Sequence, residues 1–154
     1  MHTVAQLLDA KQRAGDSLEV WTIQPYASVY DAIEAMAQRD VGALVVTDGD
    51  KPVGIVSERD YARKGILRRR YALDTLVADI MSNPLIAVSP EDELETCMQR
   101  MVNDGVRYLP VVSDDRLVGM ITMGDILKSL VTQDEDSAGT AGSAAGRLRR
   151  VSAR

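Results

Sequence analysis

The sequence has no phenylalanine, one tryptophan, one cysteine and one histidine. With aromatics at only 4%, the core must be filled by Val, Ile, Leu, Met and Ala, and the hydrophobic share of 45% supplies them. The single cysteine, Cys97, excludes an intrachain disulfide and suits a reducing cytoplasm. The single histidine, His2, has no partner at metal-ligand spacing, so no metal site is expected. No apolar run approaches the ~20 residues of a membrane helix. The N-terminus lacks the basic start and long apolar stretch of a secretory signal. A net charge of −5 gives no bulk support to nucleic-acid binding. G-x-x-x-x-G-K-[ST], G-x-G-x-x-G and H-E-x-x-H are all missing, as is a usable Ser-His pair, so a non-enzyme is expected.

What the chain does have is a repeat. "VGIVSERDYARK" at Val53–Lys64 returns as "VGMITMGDILKS" at Val118–Ser129, an offset of 65. At that offset Pro25–Lys64 lies on Pro90–Ser129 without a gap, with Met36/Met101, Leu44/Leu109, Gly54/Gly119 and Asp60/Asp125 among the identities. Further upstream "VAQLL" (Val4–Leu8) resembles "VADIM" (Val77–Met81), but at an offset of 73, so the first copy carries eight extra residues after this lead. A repeat of this period points to two structural units.

Both copies share one anatomy. "EVWTI" and "LIAVS" read as strands that end near a turn proline. "SVYDAIEAMAQRD" sets Val29, Ile33, Met36 and Ala37 on one helical stripe, and "ELETCMQRMVNDG" does so with Leu94, Cys97, Met98, Met101 and Val102. Cys97 thus reads as a small core hydrophobe rather than a nucleophile. "GALVVTD" and "RYLPVVS" are short strands, turned by "DGDKP" and "DDR" into return strands "VGIV" and "VGMIT". "SERDYARKGIL" and "TMGDILKSLV" then open helices. The unit is β-α-β-β-α, an α/β arrangement, and neither unit can cover its own sheet alone. The expected division is 1–68 for the first repeat with its lead, 69–133 for the second, and 134–154 as a flexible Gly/Ala/Ser-rich tail carrying Arg147, Arg149, Arg150 and Arg154.

Ser57-x-x-Asp60 and Thr122-x-x-Asp125 fall where a strand ends and a helix begins, and they support two readings. The first is a capping box that satisfies helix-start N–H groups. The second is a nucleotide site. Free N–H donors and a hydroxyl there suit phosphate, and a carboxylate one turn in suits the two hydroxyls of a ribose. One such junction per repeat would give two sites related by a pseudo-twofold axis.

Taken together, "VSERDYARK", "DIMSNPLIAVSPEDELETCMQRMVNDGVRYLPVV" and "LVGMITMGDILK" resemble a cystathionine β-synthase (CBS) domain pair, or Bateman module, over about Val4 to Val131. The resemblance is nearest to stand-alone bacterial pairs often labelled as relatives of inosine monophosphate dehydrogenase, although two repeats leave no room for a catalytic barrel of ~250 residues. It implies two repeats packed with pseudo-twofold symmetry and an adenosine nucleotide (AMP, ATP or NAD) in the cleft between them. It further implies a homodimer and signalling to a separate, unidentified protein. Asp60 and Asp125 match the family's ribose-binding aspartates, and Ser57 and Thr122 its hydroxyls near phosphate. Arg59 and Lys64 would meet phosphate, as would Arg107. Gly42 and Ala43, with their counterparts Arg107 and Tyr108, would line the adenine pocket. The second motif has Met123-Gly124 where the first has Glu58-Arg59, so the two sites are expected to differ. The alternative reading is a structural dimerisation module without a ligand. A third class, nucleic-acid binding through clusters such as Arg63, Lys64, Arg68, Arg69 and Arg70, would show steep salt dependence.

Overall fold

A computed structural model describes residues 2–138 of the chain. Helix α1 (Val4–Arg13) leads into a short strand β1 (Thr22–Ile23), helix α2 (Val29–Arg39) and a hairpin of β2 (Ala43–Asp48) and β3 (Lys51–Ser57). A helical segment follows: α3 (Glu58–Asp60), a π-helical turn Tyr61–Gly65 and a 3-10 turn Ile66–Arg68. The second half runs α4 (Val77–Ile80), α5 (Leu94–Asp104), a hairpin of β4 (Tyr108–Ser113) and β5 (Arg116–Thr122), and α6 (Met123–Ala138).

The repeat is reproduced at the level of individual cross-strand partners. Ala43 pairs with Ser57 and Val46 with Gly54; 65 residues on, Tyr108 pairs with Thr122 and Val111 with Gly119. Even the register shift recurs, between Val46 and Thr47 and between Val111 and Val112. The second hairpin turns through Asp114 and Asp115, both with positive φ, the conformation a two-residue type I′ turn demands.

The helices form for legible reasons. Ser28 caps α2 by accepting from Asp31 N, and Asp40 ends it in the left-handed region. Gly105 takes that same role after α5. Val29, Ala32 and Met36 are buried on α2, as are Leu94, Cys97 and Met101 on α5. The expected stripes were one position too wide, because the equivalent residues Ala37 and Val102 both face outward. The expected strands "EVWTI" and "LIAVS" also contract. The first keeps two residues, paired in parallel with β2, and the second keeps only a bridge from Val88 to Val111. Their chains turn away at Pro25 and Pro90, whose carbonyls accept from Ala78 N and Ala5 N.

Those last bonds reveal an exchange. The lead that precedes the first repeat docks on the second, through Val4 N to Asp92 O, Ala5 N to Pro90 O and Leu94 N to His2 O. The lead that precedes the second repeat docks on the first in the same way, through Val77 N to Ala27 O, Ala78 N to Pro25 O and Val29 N to Thr75 O. The cores follow suit. Val4, Leu7 and Leu8 are buried with Leu94, Met101, Leu109 and Ile121. Val77 and Ile80 are buried with Met36, Leu44 and Val56. The division at 68/69 read from the sequence therefore does not separate the two cores, because each sheet is covered by a helix from the other half. Helix α6 runs on through Ala138, so 134–138, expected as tail, are helical, and 139–154 lie outside the described residues. Among the described residues no helix is long and apolar enough to cross a membrane.

The doubled Val-Gly is where each exchanged lead comes closest. A Cβ on Gly54 would lie 2.7 Å from Ser82 O and 3.0 Å from Met81 Sδ, whereas one on Gly119 would meet only the tip of Leu8 at 3.1 and 3.2 Å. A backbone carbonyl held in a sheet-like pair gives way less readily than a leucine methyl. Gly54→Ala is expected to cost about 1–3 kcal/mol, as overpacking does, and Gly119→Ala clearly less, by urea unfolding of each. Equal losses would contradict this packing.

Candidate functional site

The junction of β3 and α3 is a complete capping box. Asp60 N donates to Ser57 Oγ at 3.0 Å, and Ser57 N donates back to Asp60 Oδ2 at 3.0 Å. The Ser57 hydroxyl itself donates to the same Oδ2 at 3.0 Å. The second junction repeats the arrangement, with Thr122 N to Asp125 Oδ2 at 2.9 Å and Asp125 N to Thr122 Oγ1 at 3.1 Å. The capping reading therefore holds at both junctions.

Capping engages only one oxygen of Asp60. The other, Oδ1, receives Lys64 Nζ at 3.2 Å and Ser82 Oγ at 3.5 Å. Lys64 also reaches Ile80 O at 3.2 Å. This i,i+4 ion pair keeps the Lys64 side chain 35% exposed while Asp60 is largely buried. The carboxylate thus has one oxygen committed to the fold and one facing a cleft.

That cleft has a volume of about 670 Å³ and lies between the repeats. From the first repeat come Gly42, Ser57, Arg59, Asp60, Arg63 and Lys64; from the second come Arg107 and Tyr108, with Asp104 beside them. The segment after α4 supplies Ser82, Pro84, Leu85 and Ile86 as a partly apolar wall. Four cations, Arg59, Arg63, Lys64 and Arg107, line it with three acids, Glu58, Asp60 and Asp104. Burial pushes the Tyr108 phenol above its ordinary range, with the Asp60 carboxylate adding to the effect and Ser57 partly offsetting it.

The helix after this junction is not the regular one that the sequence suggested. Three α-helical residues give way to a π turn. The Tyr61 ring lies over Gly65, where an added Cβ would sit 2.8 Å from it. Single π turns of this sort are frequent at functional sites. Here the turn carries Arg63 and Lys64 on the cleft wall. Of the expected cation cluster, Arg70 instead turns to Asp79 O at 3.3 Å, and Arg68 and Arg69 are exposed.

Seven of the residues singled out from the sequence meet in this one cleft: Gly42, Ser57, Arg59, Asp60, Lys64, Arg107 and Tyr108. Ala43 pairs with Ser57 in the sheet and does not line it. Thr122, Gly124 and Asp125 lie elsewhere, and Asp125 faces a separate groove of about 500 Å³ between α1 and α6. Sequence reasoning missed Ser82 and Lys11. Ser82 is held in place by paired bonds to Ile55, Ser82 N to Ile55 O at 2.8 Å and Ile55 N to Ser82 O at 3.2 Å. It directly follows the lead Val77–Met81, and Lys11 lies just past the lead Val4–Leu8, so the repeat pattern held a signal for both.

Comparison with known proteins agrees with this architecture. The CBS domain family matches residues 16–66 and again 77–132. The chain is 36% identical over 139 residues to the CBS domain-containing protein CBSX3, mitochondrial, of Arabidopsis thaliana, covering 87% of this chain and 67% of that one. A putative signal-transduction protein with CBS domains from Burkholderia ambifaria superposes with a TM-score of 0.78 at 42% identity, covering 85% of this chain and 95% of that one. The CBS domain pair of protein MJ0100, solved with 5′-methylthioadenosine and S-adenosyl-L-methionine, superposes with a TM-score of 0.72 over 86% of this chain and 98% of that one. At 21% identity it shows the fold alone.

The raised Tyr108 phenol sets a pH dependence. A folded-state pKa above the ordinary value of 10.0 means that the unfolded chain loses this proton first. The contribution is intact below that value and is lost as pH rises through the folded pKa. Stability should therefore fall more gently above about pH 10 in Tyr108→Phe than in the parent chain. Denaturant melts across the alkaline range measure the difference, and parallel curves would contradict it.

Proposed function

The chain belongs to the CBS-domain family, and we propose that it is a non-catalytic regulatory pair that binds an adenosine nucleotide in the Asp60 cleft. The observation that carries this reading is the composition of the cleft. It joins the Ser57-x-x-Asp60 motif of one repeat to Arg107 and Tyr108 of the other. A volume of about 670 Å³ falls in the range of small-molecule sites. Asp60 Oδ1 accepts from the ribose hydroxyls as a charged acceptor. Arg59, Lys64 and Arg107 supply positive charge for one or more phosphates. Ile55, Leu85 and Ile86 offer an apolar wall for the base. The adenosine compounds held by the MJ0100 pair support this ligand class without choosing among AMP, ATP and NAD.

A ligand that touches both repeats favours one arrangement of them. It can shift the equilibrium of the pair by as much as its affinity differs between arrangements. This suits a module that reports nucleotide level to a separate partner protein. A homodimer is part of the same proposal. Leu127, Leu130 and Val131 form an exposed apolar stripe on α6, and Leu67, Tyr71 and Leu73 are exposed in the segment between the two halves. Light scattering should give twice the 16.8 kDa chain mass, and a monomer at micromolar protein would contradict the dimer.

Ligand class is tested on nucleotide-free protein. A ligand specific to the folded state adds about 2.7 kcal/mol at a hundredfold excess over Kd. AMP, ATP or NAD should raise the melting temperature more than GMP or IMP does. Asp60→Asn should weaken binding about ten- to a hundredfold, as the loss of charge-assisted hydrogen bonds costs about 1.5–3 kcal/mol. Its stability should change by only about 1 kcal/mol, because Asn can still accept at the cap. A flat response to every adenosine compound would leave the alternative, a dimerisation module without a ligand.

A further inference from the structure

The two motif aspartates have unequal neighbours. Four residues after Asp60 stands Lys64; four residues after Asp125 stands Ser129, which is neutral. Arg59 likewise has Gly124 as its counterpart. The missing cation at the second junction comes from the other end of the chain. Lys11 Nζ lies 3.0 Å from Asp125 Oδ2 and 3.4 Å from Met120 O. The Lys11 and Asp125 side chains are only 19% and 21% exposed.

The source of this contact is the length difference between the two leads. Helix α4 stops after four residues, and the chain beyond it passes beside Asp60 as the open wall of Ser82 to Ile86. Helix α1 continues for ten residues, and its added turns carry Lys11 to the equivalent aspartate. The eight residues that break the repeat feed this extension. Helix α1 is also anchored, since Val4, Leu7 and Leu8 are in the core and its start is tied to Asp92 and Pro90. Lys64 is different in kind. It is 35% exposed, belongs to the same helical segment as its aspartate and lines an open cleft into which it can turn.

We infer that Lys11 is a built-in occupant of the second motif, standing on Asp125 where a ribose would otherwise bind, so that each chain takes one adenosine nucleotide rather than two. The inference rests on the reading of the Asp60 cleft as a nucleotide site. Lys11 shares Asp125 Oδ2 with the capping Thr122 N–H, so removing its ammonium leaves the cap in place and takes away the cation that stands against the carboxylate in the groove between α1 and α6. That converts a closed motif into a second, weaker site.

Equilibrium dialysis and calorimetric titration with AMP, ATP and NAD, each up to millimolar, test it. The parent chain should bind about one equivalent per chain. Lys11→Met keeps much of the stem and should bind about two, with the affinity of the first equivalent changed by less than about twofold. Lys11→Arg keeps the cation and should stay at one. Lys11→Ala serves as a second variant should the methionine disturb packing, and far-ultraviolet circular dichroism confirms that each variant is folded. Two equivalents in the parent would overturn this inference and leave the nucleotide reading standing. One equivalent in the folded Lys11→Met and Lys11→Ala variants would do the same. No binding of any of the three nucleotides to the parent would overturn both.

Discussion

Each sheet in this protein is covered by a helix that comes from the other half of the chain. The backbone bonds are matched one for one: Val4 on Asp92 and Val77 on Ala27, Ala5 on Pro90 and Ala78 on Pro25. Val4, Val77 and Ile80 are completely buried as a result. Burying such side chains contributes roughly 1.5–3 kcal/mol each, so neither repeat keeps its core without the other's lead. The exchange makes one folding unit of two similar halves. It also decides what stands beside each motif aspartate, because the chain that follows each lead runs past it.

Close approach is what the exchange requires of the sheet. Gly54 and Gly119 sit where the leads cross, and at Gly54 the crossing backbone would be 2.7 Å from any Cβ. That bond-length economy also positions Ser82, whose backbone pairs with Ile55 and whose hydroxyl faces Asp60. The capping box then frees one carboxylate oxygen for the cleft while the other holds the helix start. The cap uses one oxygen of this side chain and leaves the other on the cleft side, so the proposed binding role would not displace the cap.

The halves differ where their added or missing residues fall. A π turn follows the first motif and a continuous α-helix the second. Arg59, Arg63 and Lys64 gather at the first; among the described residues Lys11 is the cation paired with the second aspartate. A near-symmetric scaffold thus presents an open, cationic cleft on one side and an internally paired carboxylate on the other.

The sequence by itself determined the repeat, the helix-hairpin-helix order within each copy and the two caps. These follow from short-range patterning: apolar periods, turn residues and Ser/Thr-x-x-Asp spacing act within a few residues and read the same wherever the segment sits. The family resemblance also marked seven of the cleft residues, from Gly42 to Tyr108. Only the tertiary structure decided which repeat each lead would cover, since Val4 and Val77 are equally apolar and local preference does not choose between two near-identical sheets. The same long-range packing brought Ser82 to Asp60 and Lys11 to Asp125. Their separations of 22 and 114 residues lie far beyond any local pattern, and only the folded chain brings those atoms together.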